Sequence, residues 1–76
     1  MKKQEFFEKL QEQLETEIKI TETTSFDSIP GYDSMSVLIL IAFTDENFGT
    51  KLTVQQLDKV NMVKEYMDLI GYKKFE

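Results

Sequence analysis

Val37-Leu38-Ile39-Leu40-Ile41-Ala42-Phe43 is a run of seven apolar residues in the middle of a 76-residue chain, and any fold must bury much of it. The run is far shorter than the ~20 residues needed to cross a bilayer. Three of its residues are β-branched, so propensity alone also suits a buried strand. Three features favour a helix. Asp33 stands just ahead of the run as a good N-cap. The apolar pattern continues to Phe48, and Gly49 follows as a C′ residue. No second segment reads as a strand, and a lone strand leaves its backbone groups unpaired. A helix over 34–48 puts Val37, Leu40, Ile41, Thr44 and Phe48 on one side and turns Met35, Leu38, Ile39 and Ala42 towards another. That breadth means either burial on two sides or a face that meets a partner.

The flanking segments supply what this helix packs against. Residues 2–16 are predicted to be an amphipathic helix, with Phe6, Leu10 and Leu14 at four-residue spacing and Phe7 beside them. Glu5 and Lys9 fall at i,i+4 in the favourable order. From Glu17 to Tyr32 helical spacing disappears, and Pro30-Gly31 marks a turn. A connection of that length in a compact domain is usually functional or tied down, and Ile18, Ile20, Phe26 and Ile29 are its candidate anchors. Thr53 with Gln56 fits a capping box opening a short helix that carries Val54, Leu57 and Val60. Asn61 is the expected cap of a last helix, 62–70, with Met62, Val63, Tyr66, Met67 and Ile70 inward and Gly71 ending it. The tail 72–76 is expected to fray. The expected fold is one all-α domain over residues 1–76: a small four-helix bundle with a short third helix and a long loop between helices one and two.

Composition narrows the function classes. Fourteen acidic residues outnumber nine lysines, there is no arginine, and the net charge of −5 argues against nucleic acid as a partner. Without cysteine or histidine there is no thiol nucleophile, no zinc-thiolate site and no imidazole base. Among Ser, Lys and carboxylates no nucleophile–base–orienter set can be read, so no catalytic residue is assigned and an enzyme is not expected. Asp45-Glu46-Asn47 lacks EF-hand spacing, and no metal ligand set is assigned. The N-terminus has no signal-peptide pattern, and a soluble, cytoplasmic monomer is the expectation.

Gly31-Tyr32-Asp33-Ser34-Met35-Ser36 remains to be read. Taken alone, an Asp-Ser pair before an apolar helix is most often simply an N-cap. Asp45, Glu46 and Asp58 are equally readable as partner-facing acids or as a solvated face. The whole order, however, resembles the acyl carrier protein family from about Phe6 to Ile70. An amphipathic first helix, a long loop, Asp33-Ser34-Met35 opening an apolar second helix, a short third helix and a closing helix all stand in sequence.

What the resemblance implies is carriage rather than catalysis. Ser34 would be esterified with 4′-phosphopantetheine by a separate phosphopantetheinyl transferase, with Asp33 helping that enzyme recognise the site and Met35, in place of the usual Leu, lying beside the arm. The thiol of the arm would hold fatty-acyl, polyketide or aminoacyl groups as thioesters and present them to loading and transferring enzymes, and the prosthetic group would supply the thiol that the chain lacks. Partner contacts would come from Leu38, Ile39, Ala42, Asp45 and Glu46. The family usually carries acids along helix two where Ser36 and Ile39 stand here, which implies a more apolar docking face and a specialised, stand-alone carrier. The alternative is a small helical adaptor that binds proteins through the same face of helix two without a prosthetic group.

Overall fold

The computed structural model describes residues 1–75 and converts these periodicities into four α-helices: α1 (Lys3–Gln13), α2 (Ser34–Phe48), α3 (Val54–Asp58) and α4 (Val63–Ile70). Two 3₁₀ turns, Phe26–Ser28 and Tyr72–Lys74, complete the order. Among the described residues the only β pairing is an isolated antiparallel bridge between Ser25 and Met62. None of the described helices is long and apolar enough to cross a membrane.

The long apolar run forms α2 over its expected length. The left-handed Gly49 (φ 67°) closes it, donating its N–H to the Asp45 carbonyl. Val37, Leu40, Phe43 and Thr44 are buried, whereas Met35 and Leu38 are 63% and 51% exposed. The core therefore covers one side of α2, and the second apolar side faces solvent.

Helix α1 ends at Gln13, three residues earlier than its apolar spacing predicts. Thr16 N–H donates to the Gln11 carbonyl and Glu15 N–H to that of Glu12, the paired bonds of a Schellman closure. The closure forces Glu15 into the left-handed region at φ 51°, which costs a non-glycine residue about 1–2 kcal/mol. Leu14 is half-buried against the core and holds the chain there.

The core centres on Phe6, which is fully buried and lies within 4.6–6.1 Å, ring centre to ring centre, of Phe7, Phe43, Phe48, Tyr66 and Phe75. The last of these partners corrects the expectation of a frayed tail. Residues 72–74 make a 3₁₀ turn after Gly71, and this returns Phe75 into the core at 7% exposure against Phe6 and Phe48. The Met1 ammonium donates to the Lys74 carbonyl at 2.9 Å, so the two chain ends lie side by side. Burial of the Phe75 ring overrides the ordinary fraying of a terminus. Residue 76 lies outside the described residues.

The connection between α1 and α2 is tied to α4 by backbone bonds. Val63 N–H donates to Thr24 O (3.0 Å), Lys64 N–H to Glu22 O (2.9 Å) and Phe26 N–H to Asn61 O (2.9 Å). Loop carbonyls thus satisfy the orphan N–H groups that open α4. Ile20, Phe26 and Ile29 are buried as expected of anchors, while Ile18 is only partly covered.

Two details of α4 correct the sequence reading. The N-cap is Met62, not Asn61, and the Glu65 carboxylate accepts from the N–H groups of both Asn61 (2.7 Å) and Met62 (2.9 Å). Met62 has extended backbone outside the helix and is 40% exposed, so it does not join the inward stripe. Val54 at the start of α3 is likewise 46% exposed, while Leu57 carries the burial there.

Two carboxylates fastened in this way predict an acid limb of stability. The backbone N–H donors of Asn61 and Met62 hold Glu65 below the ordinary glutamate value of 4.5. The Tyr72 hydroxyl, which donates to Glu22, and then Lys3, 3.4 Å away, do the same for Glu22. A folded-state pKa below the unfolded one contributes stability that is complete above the unfolded value and disappears as pH falls through the folded value. Urea midpoints are therefore expected to decline as pH falls below about 4.5, and Glu65→Gln should flatten that slope. An acid limb identical in Glu65→Gln and Glu22→Gln to the parent would refute the assignment.

Candidate functional site

The turn that opens α2 is built from three constraints. Pro30 and Gly31 occupy the centre of a β-turn closed by Tyr32 N–H on the Ile29 carbonyl at 3.2 Å. Gly31 has φ 77°, the value that the third position of a type II turn requires, and a Cβ there would meet no atom within 4 Å. Glycine is needed for its backbone conformation, not for space. The turn is anchored from below by buried Ile29 and by Tyr32, whose ring stacks on Phe26 at 5.1 Å and 25°. Burial, with Asp58 and Asp27 nearby, raises the Tyr32 pKa and keeps the phenol neutral.

Asp33 then caps the helix. Its Oδ1 accepts from Ser36 N–H at 3.1 Å, and Ser36 Oγ accepts from Asp33 N–H at 3.2 Å, a reciprocal capping box. Ser36 is therefore not merely a place where an acid is missing: it locks the turn. The usual signature of such a box has Glu or Gln at the third position, so Ser36 in that place gave no sequence signal for the role.

Ser34 occupies the first position of α2 and is exposed. Its hydroxyl makes no hydrogen bond to any of the described residues, while Asp33 Oδ1 accepts from the N–H and the hydroxyl of Ser36. The N–H groups of Ser34 and Met35 lie in the first helical turn, where no preceding carbonyl is available to them. An anion attached through Ser34 Oγ would meet these donors and the positive end of the helix dipole.

The structure brings together most of the residues singled out from the sequence. Met35, Leu38, Ile39 and Ala42 recur at i, i+3, i+4 and i+7, and Asp45 and Glu46 follow on the same helix, all exposed except half-buried Ile39. The stripe from Ser34 to Asp45 is about 16 Å long at the helical rise per residue. Sequence reading missed Val54 and Met62 as exposed apolar side chains, because both sit at the edge of a helical stripe and only the packing shows them uncovered. Among the described residues no group of three or more His, Cys, Asp or Glu side chains comes together as a metal site.

No family model, curated protein or solved structure matches the chain.

Proposed function

We propose that the chain is a carrier protein bearing 4′-phosphopantetheine on Ser34. The observation that carries this reading is the free, exposed hydroxyl at the first position of α2, in a turn closed by the Asp33–Ser36 box and the left-handed Gly31. The cap is made by Asp33 and Ser36, and the Ser34 hydroxyl takes no part in it. When bound, the group supplies a thiol that holds acyl or aminoacyl cargo as a thioester. The chain itself keeps Ser34 Oγ accessible to the transferase, offers the Ser34 and Met35 N–H groups to the phosphodiester, and lays Met35 alongside. The exposed stripe Met35, Leu38, Ile39 and Ala42, ending in Asp45 and Glu46, is the surface that partner enzymes would read.

Incubation with coenzyme A and a broad-specificity transferase is expected to add the mass of one phosphopantetheine. Ser34→Ala should abolish the addition while changing stability by less than about 0.5 kcal/mol, as an exposed side chain without partners requires. An unchanged intact mass, under conditions that modify a control carrier, would sink the reading.

The exposed apolar stripe also favours a second reading, a helical adaptor without a prosthetic group. That reading expects partner binding indifferent to Ser34→Ala but weakened by Leu38→Asp. A carrier's transfer reactions are expected to be lost with Ser34→Ala.

A further inference from the structure

We propose that Met35 and Met62 form an oxidation-sensitive site, at which hydrogen peroxide converts two exposed thioethers to sulfoxides and turns an apolar surface polar without unfolding the bundle. The inference requires no prosthetic group on Ser34 and applies equally to a carrier and to an adaptor.

The chain has no cysteine, so its four methionines are its only sulfur. The fold sorts them. Met67 lies on the inward side of α4 and is completely buried, and Met1 is half-buried against the core. Met35 and Met62 stand in solvent. Together with Leu38 and Val54 they are the large apolar side chains that the described residues leave exposed, so half of that set carries a thioether.

The two positions are held by backbone rather than by their side chains. Met35 is in the first turn of α2, behind the Asp33–Ser36 box. The Met62 N–H donates to the Glu65 carboxylate, and Met62 pairs with Ser25 in the isolated bridge. One loop joins them: Ser25 precedes Phe26, whose ring stacks on Tyr32, and Tyr32 stands three residues before Met35.

The chemistry is an oxygen transfer. A sulfur lone pair attacks one peroxide oxygen and the O–O bond breaks. The departing hydroxide takes the proton left on the transferred oxygen, so one thioether and one peroxide give one sulfoxide and one water. Sulfur is oxidised by two electrons and the peroxide is reduced by two. A sulfoxide is polar and accepts hydrogen bonds, where the thioether offered soft apolar surface. In solvent the new oxygen is hydrated, so the fold tolerates it, and an apolar partner loses contact area. At Met67 the same oxygen would be stranded in the core, and the core shields that sulfur from the reagent.

Brief treatment with hydrogen peroxide, followed by proteolytic digestion and mass mapping, is expected to place one oxygen on Met35 and one on Met62. Both should react about tenfold or more faster than Met67, whose sulfur is reached only through local opening. The oxidised protein should melt within about 3 °C of the reduced one. Its retention on a phenyl resin in ammonium sulfate should fall, and sulfoxide reductases acting on both epimers should restore it. The Met35→Leu/Met62→Leu double variant keeps apolar surface without the thioethers and should retain its binding to the resin after the same treatment. Oxidation of Met67 at the rate of the other two, or a collapse of the melting midpoint, would overturn the proposal. So would unchanged retention of the oxidised protein, or an equal loss of retention in the double variant. The resin and the mapping need no transferase, so refusal of phosphopantetheine by Ser34 is a separate result that strikes the carrier reading alone.

Discussion

Phe75→Ala is expected to lower the unfolding free energy by about 3 kcal/mol, the lower end of the range for deleting a buried phenyl ring. The ring is 7% exposed and packs at 4.6 Å on Phe6, the residue around which the rest of the aromatic core is arranged. Its loss leaves a void beside Phe6 and Phe48, and it releases the 72–74 turn whose partner is the Met1 ammonium. For a domain of this size the melting midpoint should fall by about 15 °C. Urea unfolding followed by circular dichroism measures the effect. Lys73→Ala, an exposed neighbour, should change stability by less than about 0.5 kcal/mol. Equal stabilities of Phe75→Ala and the parent would show that the chain end does not belong to the core.

The second large effect is an asymmetry within one hydrogen-bonded pair. Thr44→Val should cost about 2 kcal/mol, whereas Tyr66→Phe should cost about 1 kcal/mol. In Tyr66→Phe the Thr44 hydroxyl keeps its 2.7 Å bond to Leu40 O. In Thr44→Val the Tyr66 hydroxyl keeps only a 3.4 Å contact to the same carbonyl, too long to compensate for burial. The double variant should lose less than the sum of the two singles, since removing both partners strands no polar group. The measurement is a double-mutant cycle by urea unfolding, and additive single effects would mean that the two hydroxyls do not interact.

These two predictions draw on different amounts of what the sequence displays. Thr44 could be placed on the inward side of α2 from its spacing with Val37, Leu40 and Ile41. That its hydroxyl meets Tyr66, 22 residues away, depends on how α2 and α4 cross. Phe75 carried no usable signal, because two aromatics around a lysine pair in a short tail make no periodic stripe to announce a buried face. The candidate site was legible in another way. Asp33 and Ser36 interact within one helical turn and Ser34 lies between them in the chain, so local chemistry is sufficient to position all three. Val54 and Met62 stand at helix starts, where a shift of one residue decides between core and solvent.

By itself the sequence determined the elements and the local turn chemistry: the bounds of α2, the Asp33 and Thr53 caps and the Pro30–Gly31 turn. All of these depend on contacts between residues at most four apart, or on a backbone preference of one residue type. The tertiary structure alone decided which apolar side of α2 is covered, that Glu15 rather than a glycine closes α1, that the loop carbonyls cap α4 and that Phe75 completes the core. Each is an outcome of competition for a shared interior among segments distant in the chain, and local preference carries no information about the partner that wins.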